Sequence, residues 1–250
     1  MNFKMFMDQF AYRQTKAGYI GIEREAFLLD CADRIVPHVR HILPEFNSED
    51  YDYELSASQL EHRIGPTDTV NLRRDLVSQA NEMRRKLSEL RMDLLYVGAG
   101  PTSVPLDHHP CDRYNEIVAL MPKRVLKAAV RVAGTHIHIG MPDRLTALAT
   151  YNRVVDHTDE LCEMGDQSNG ERRRLFSIIT NNLTPKKQPT WYEYYQTAMN
   201  EEFHDDLGKC WWWIRISRFG TIEFRMFDTT ESVDQIVEWA NYCHKLCFPE

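Results

Sequence analysis

The sequence predicts an α+β domain with a largely antiparallel sheet flanked by helices. Short runs rich in Val, Ile and Phe alternate with longer amphipathic runs rich in Arg, Leu and Glu, a pattern typical of strands separated by irregular helices. Two of the strand-like runs meet at Phe219-Gly220, which predicts an antiparallel hairpin. No repeat, low-complexity segment or Pro/Ser linker interrupts the 250 residues, so we expect a single domain over residues 1–250.

Each predicted element follows from its apolar spacing and from the residues that break the pattern. The predicted strands cover 19–29, 51–55, 59–64, 93–98, 128–141, 211–218 and 221–228, and the run at 128–141 is rich in Val and Ile. The predicted helices are amphipathic and cover 69–91, 113–126, 143–163, 190–203 and 232–247, with a short strand or turn followed by a helix over 35–46. The Pro- and His-rich segment 100–112 and the polar segment up to Pro189 are predicted as loops.

Composition and charge limit the range of partners. Thirty basic residues against 37 acidic ones leave a net charge of -7, and nucleic acid or an anionic membrane would require a basic face. No apolar stretch is long enough to cross a bilayer, and residues 1–10 lack the layout of a secretion signal. Six cysteines without framework spacing indicate reduced thiols and a cytoplasmic protein. Cys243 and Cys247 flank His244, a spacing that fits one helix face as well as a metal clip.

Charged and imidazole residues lie two positions apart inside three of the predicted strands. Residues at i and i+2 of a strand point to the same face, so the members of each pair project together. A half-solvated antiparallel sheet with a polar side facing water would explain any one pair. Three pairs rich in glutamate and histidine, with glycines beside them, indicate instead a site approached by a ligand. The pairs are Glu23 with Glu25, His136 with His138, and Glu223 with Arg225.

Two further carboxylates extend this pattern. Glu54 and Glu61 lie on either side of the turn at residues 56–58, which can bring them together. Carboxylates that converge repel one another and raise one another's pKa, unless divalent cations lie between them. Oxygen ligands with one imidazole suit Mg²⁺ or Mn²⁺ better than Zn²⁺, so we expect one of these two metals.

Arginines supply the complementary charge. Arg215 and Arg225 fall on adjacent strands of the hairpin, Arg113 opens a helix, and residues 172–174 form an arginine run. Guanidinium groups bind carboxylates and phosphates with two parallel hydrogen bonds, although most surface arginines are only solvated charges. No glycine-rich phosphate-binding loop is present, so metals and arginines would have to hold the phosphates of any nucleotide.

These motifs, in this order, resemble the glutamate–cysteine ligase type 2 family of carboxylate–amine ligases, which includes the YbdK-like proteins. Each motif is short, but five of them follow the order of the family and span nearly the whole chain. The matching segments are residues 21–25 (GIERE), 54–61 (ELSASQLE), 113–114 (RY), 134–140 (GTHIHIG) and 221–228 (TIEFRMFD).

The resemblance implies a glutamine-synthetase-like fold, a curved antiparallel sheet whose concave face holds ATP and two or three Mg²⁺ or Mn²⁺ ions. It implies that Arg225 contacts phosphate or the carboxylate of the acyl substrate, that Arg113 plays a similar catalytic part, and that Arg215 and His138 line the nucleotide site. The metal ligands that it implies are Glu23, Glu25, Glu54, Glu61, His136 and Glu223.

The implied activity is an ATP-dependent ligase that joins a glutamate-like carboxylate to an amine through an acyl phosphate, forming a γ-glutamyl-type amide. Phosphoryl transfer needs positioning, metals and arginines rather than a covalent nucleophile of the enzyme. Two other functions remain open from the residues alone. One is a non-catalytic relative that binds nucleotide and metal as a scaffold subunit, and the other is a metal-dependent hydrolase.

The sequence also departs from the family pattern. Members of the family usually continue well beyond the last Glu-x-Arg strand, so we expect a domain that is shorter than usual at its C-terminus. A homodimer is one way to complete the site. The segment 162–174 lacks the usual Ser-Pro stretch, which leaves the role of Arg172, Arg173 and Arg174 open. The sequence does not identify the amine.

Overall fold

An antiparallel sheet organises the chain in the computed structural model, which describes residues 1–46 and 48–249. Its strands run in the order β2-β3-β1-β5-β7-β6, and β4 pairs with the far end of β1, beyond the part that pairs with β5. All of the pairings are antiparallel. The strands are β1 (Ile20–Leu29), β2 (Tyr51–Tyr53), β3 (Gln59–Thr67), β4 (Asp93–Leu95), β5 (Gly134–Gly140), β6 (Ile214–Ile216) and β7 (Thr221–Asp228).

Helices flank the sheet, and several begin at side chains that cap their first turn. Asp143, Thr190 and Ser232 each accept a hydrogen bond from a backbone N–H at the start of α6, α9 and α10, respectively. No helix in the described part of the chain is both long enough and apolar enough to cross a membrane. The helices are α1 (Phe3–Met7), α2 (Val39–Phe46), α3 (Leu72–Glu89), α4 (Asp112–Leu120), α5 (Lys123–Ala129), α6 (Arg144–Val154), α7 (Thr158–Met164), α8 (Glu171–Thr180), α9 (Trp191–Asn200) and α10 (Val233–Cys247).

One face of the sheet belongs to the main hydrophobic core. Its side chains alternate with the charged positions and pack with apolar residues of α6, α7 and α10. Full burial of a side chain of this size stabilises a fold by about 1.5–3 kcal/mol, so this face anchors the strands. The opposite face, here called the site face, carries the charged positions. The core residues of the central strands are Ile20, Ile22, Ile137, Ile139, Ile222 and Phe224, each at most 1% exposed.

The predicted fold class is confirmed, because the sheet is antiparallel and helices flank it. The polar segment up to Pro189 was wrongly predicted as loop, since it contains α8. Gly170, with a φ of 78°, precedes this helix, and Leu175 and Phe176 bury its apolar side. Because residues 172–174 are all arginines, the segment is polar by composition, and its apolar side is not apparent from the sequence.

Two boundaries also differ from the prediction. The helix predicted over 113–126 is interrupted after Leu120, because Pro122 disfavours helical backbone at the residue before it. The strand predicted from residue 128 begins only at Gly134, since α5 continues to Ala129. A short buried apolar run is compatible with either a strand or a helix. The run predicted as one strand over 128–141 therefore contains the end of α5 as well as β5.

Candidate metal centre

Strand register brings the predicted glutamates and histidines together on the site face. Glu23 of β1 lies opposite His136 of β5, and Glu25 lies opposite Glu61 of β3. On the other side of β5, His138 lies opposite Glu223 of β7. Directly opposed residues of antiparallel strands share a face and approach closely. Three pairings therefore place side chains from four strands around one cavity.

The first group of ligand atoms belongs to Glu23, His138 and Glu223, and the three atoms lie within 4.8 Å of one another. His138 Nδ1 is 2.9 Å from Thr221 Oγ1, and a hydrogen bond donated by Nδ1 leaves the lone pair on Nε2. His138 Nε2 is buried, has no hydrogen-bond partner in the described part of the chain, and lies 3.4 Å from Glu23 Oε1. A buried imidazole nitrogen directed at a carboxylate in this way fits a metal ligand.

Electrostatics keep the first group charged. Burial opposes ionisation of Glu23, but the charge of His138 and the hydrogen bond with His136 outweigh it and hold the pKa of Glu23 well below its usual range. Burial lowers the pKa of His138, and the charges of Glu23 and Glu223 raise it by more than that. A cation bound here would take the place of the imidazolium proton.

The second group of ligand atoms belongs to Glu25, Glu54 and Glu61, which also lie within 4.8 Å of one another. Burial and the charge of Glu54 raise the pKa of Glu25 to about 8. Burial and the charges of the neighbouring carboxylates raise the pKa of Glu61 well above its usual range, and burial raises that of Glu54. Three crowded carboxylates of this kind retain protons unless a cation offsets their repulsion.

His136 lies between the two groups. Its Nδ1 is 3.3 Å from Glu23 Oε2, and its Nε2 is 3.5 Å from Glu25 Oε1. Burial, reinforced by the charge of Arg225, lowers the pKa of His136 to about 4, so the ring is neutral near pH 7. The structure thus places His138 inside a ligand group and His136 between the groups, whereas the family resemblance implies a ligand role for His136 and a lining role for His138. Both roles stay predictions.

Two of the predicted arginines hold Glu223. Arg215 donates from Nε and Nη2 to Glu223 at 2.7 and 2.9 Å, and Arg225 Nη1 donates at 2.5 Å. These cations overcome the effect of burial and lower the pKa of Glu223. Arg215 Nη1 also donates to the carbonyls of Leu207 and Cys210, which engages most of its donors within the protein. Arg225 Nε, by contrast, is buried and has no hydrogen-bond partner among the described residues.

The cavity that contains both groups has a volume of about 290 Å³. Arg113 lines it with a side chain that is 58% exposed, and its nearest carboxylate oxygen belongs to Asp206, 3.9 Å away. Arg113 is therefore an exposed cation at the rim, in contrast to the less exposed Arg215 and Arg225. Every residue that the sequence proposed for the site lines this one cavity.

Arg172 is a site residue to which the sequence could assign no role. It lies on α8, is 3% exposed, and donates from Nη1 and Nη2 to the carbonyls of Met226 and Arg225 at 3.0 and 2.9 Å. A methyl group added to Gly134 would lie 2.2 Å from Arg172 Nη2, so the glycine makes room for the guanidinium. The nearby apolar pair at 175–176 was the only sequence signal that this arginine run belongs to a packed helix.

The chain thus folds around an antiparallel sheet, and the site face of this sheet carries a carboxylate-rich centre suited to divalent cations. Proteins from Gloeobacter violaceus and Thermobifida fusca, each named "Putative glutamate–cysteine ligase 2", are 25% and 24% identical to the chain over 257 and 253 residues. These matches cover 90% of the chain but 66% and 62% of the relatives, so the chain spans about two thirds of their length. No family model matches the chain.

A solved structure has the same fold. The crystal structure of a bifunctional glutathione synthetase from Pasteurella multocida superimposes with a TM-score of 0.64 at 12% identity, covering 95% of this chain and 40% of that one. At this identity the likeness concerns the fold alone. The relatives confirm the resemblance to the glutamate–cysteine ligase type 2 family that the motifs indicated.

Proposed function

We propose that the chain is an ATP-dependent carboxylate–amine ligase that joins a glutamate-like acid to an amine through an acyl phosphate. The observation that carries the proposal is the presence of two carboxylate groups in one cavity, with His136 between them and Arg225 beside them. Two cation sites also occur in hydrolases, but two cation sites next to several arginines suit a triphosphate and an acidic substrate together.

The residues present fit divalent cations of the hard type. Glu23, His138 and Glu223 would hold one ion, although the arginines already engage most of the lone pairs on Glu223. Glu25, Glu54 and Glu61 would hold a second, and its binding would displace the protons that crowding keeps on these carboxylates. Carboxylate oxygens with a single imidazole favour Mg²⁺ or Mn²⁺. When bound, such ions neutralise phosphate charge during transfer.

The protein's own donors would orient the substrates. Arg225 lines the cavity, and its guanidinium would bind a phosphate or carboxylate oxygen there. Arg215 fixes Glu223 in its ionised form, and the exposed Arg113 at the rim would contact an incoming acid. The same cationic surroundings would stabilise the negative charge that develops when the amine attacks.

A second cavity is the proposed site of the nucleotide base. It has a volume of about 330 Å³ and adjoins the first cavity at Glu23 and His138, which line both. Its walls include the apolar residues Ile64, Pro66 and Met141, and they suit a planar base. A base bound there would direct its phosphates toward the first ligand group, and the acid and amine would occupy the part of the first cavity next to the second ligand group.

Release of ADP with Mg²⁺, glutamate and a panel of amines tests this function. We expect ADP release that depends on both the acid and an amine, and a loss of at least about a hundredfold in Glu61→Gln, because a metal ligand would be missing. Glu238→Gln, an exposed change on α10, is the matched control and should keep full turnover.

Three outcomes, of this assay and of a parallel nucleotide-binding measurement, would contradict the proposal or part of it. Nucleotide binding without turnover for any acid and amine would identify a non-catalytic relative. Phosphate release that is the same with and without amine would identify a hydrolase. Retained full turnover in Glu61→Gln would remove the second metal site from the account.

A further inference from the structure

A second concentration of positive charge lies outside the metal centre, in a groove between α5 and α8. The groove has a volume of about 530 Å³, and Ala128, Leu175 and Ile178 form its apolar part. Here it is called the basic groove. Its cationic side chains are Lys123, Arg124, Lys127, Arg131 and Arg174.

Most of this charge is not compensated by the protein. Arg131 and Arg174 share one carboxylate, Glu171, at 3.2 and 2.7 Å. The other three cations, Lys123, Arg124 and Lys127, form no ion pair with any described residue. Five cations against one carboxylate are unusual on a chain whose net charge is -7, and they create a local positive potential.

We propose that the basic groove binds a small oligophosphate anion. Several cations converging on a concave surface suit a ligand with several negative charges, and lysine and arginine are the usual phosphate-binding residues. The volume is in the range of small-molecule sites, about 300–1,000 Å³. Nucleic acid would need a long basic face instead, and the acidic remainder of the chain would repel it.

The basic groove is separate from the metal centre but shares both of its helices with it. Arg174 of α8 faces the groove, whereas Arg172 of the same helix lines the metal cavity. On α5, Ala128 lines the groove and Ala129 lines the metal cavity. A ligand that draws α5 and α8 together would therefore act on the position of Arg172.

Trp213 provides a signal for any such shift of α8. Its ring stacks on Phe176 of α8 with centroids 3.8 Å apart, and Arg172 lies 5.5 Å over the same ring. A displacement of α8 changes both contacts at once. The fluorescence of Trp213 should then report occupancy of the basic groove.

Calorimetric titration of the full chain with inorganic tripolyphosphate, in EDTA, tests the binding. We expect one anion per chain and an affinity that falls about tenfold in Lys123→Gln/Lys127→Gln, because two of the ligand's ion pairs are lost. The control Lys4→Gln/Lys245→Gln changes the net charge equally at exposed positions elsewhere and should bind like the unmodified chain. Binding unchanged by the groove substitutions, or weakened equally by the control, would overturn the proposal.

Two further measurements complete the test without requiring turnover. A titration with ADP distinguishes a nucleotide from a free oligophosphate, because the groove substitutions weaken ADP binding only if the groove accepts nucleotides. Tripolyphosphate should also change the tryptophan emission of the unmodified chain, and Trp213→Phe should abolish that change. An identical emission change in Trp213→Phe would contradict the link through α8.

Discussion

At the scale of single residues, Glu25 shows how burial and crowding act on one carboxylate. It accepts a hydrogen bond of 2.6 Å from the backbone N–H of Gly134, which favours its charged form. Burial and the neighbouring Glu54 nevertheless prevail and raise its pKa to about 8. Glu23, only two residues earlier, remains ionised because two histidines surround it. The same residue type therefore behaves as an acid or as an anion according to its neighbours.

The raised pKa of Glu25 makes the metal-free protein less stable as pH increases. The unfolded chain releases this proton near the ordinary pKa of 4.5 and the folded chain only near 8, so the folded state loses stability between these values. We expect urea unfolding in EDTA to show a smaller free energy of unfolding at pH 8 than at pH 5.5. Glu25→Gln cannot ionise and should show a clearly weaker decline.

The informative quantity is the difference in pH dependence between the unmodified chain and Glu25→Gln, since other groups titrate in the same pH interval. Saturating Mg²⁺ should also reduce the decline in the unmodified chain, because the cation replaces the proton. Parallel pH profiles for the unmodified chain and Glu25→Gln would show that this carboxyl group is not the buried acid described here.

At the scale of elements, the contact between β5 and α8 determines the shape of the site. Gly134 begins β5, and Arg172 projects from α8 across the place where a side chain would be. The guanidinium holds the carbonyls of residues 225 and 226, so it also fixes the end of β7. The relative positions of β5, β7 and α8 thus depend on the absence of a side chain at residue 134.

Gly134→Ala should destabilise the fold by about 1–3 kcal/mol, because the added methyl displaces a buried, hydrogen-bonded guanidinium. Gly21→Ala is a matched control on β1. Its methyl would meet His138 Cβ at 3.5 Å and Ile64 O at 3.7 Å, which are ordinary contacts. Thermal unfolding should show a lower midpoint for Gly134→Ala and almost no change for Gly21→Ala. Equal midpoints in the two variants would contradict this description of the contact.

The sequence could predict the faces of these strands but not their register. Alternation of Ile with Glu and His assigned Glu23, His136 and Glu223 to one face, and the turn at 56–58 correctly brought Glu54 near Glu61. Which histidine meets which carboxylate depends on cross-strand pairing, including an irregularity between Thr135 and Ile137. No local sequence pattern predicts that pairing. Alternation has a period of two within one strand, so it predicts which face a residue occupies but not how two strands are shifted relative to each other.

At the scale of the whole molecule, the sheet has an apolar face in the main core and a charged face, the site face. The apolar face anchors the strands in the core, and the rigid strands keep several glutamates closer together than their charges favour. Arginines from β6, β7 and α8 surround the centre and offset part of its charge. The solved structure at 12% identity shows that a widely different sequence shares this arrangement of elements.

The binding of Mn²⁺ to the full chain tests the central claim most directly. Electron paramagnetic resonance, with a non-hydrolysable ATP analogue present, should count two tightly bound ions per chain, one for each carboxylate group. Glu25→Gln/Glu61→Gln should bind one ion, because only the group of Glu23, His138 and Glu223 remains intact. Binding of no Mn²⁺ by the unmodified chain, or of the same number of ions by both proteins, would contradict the account.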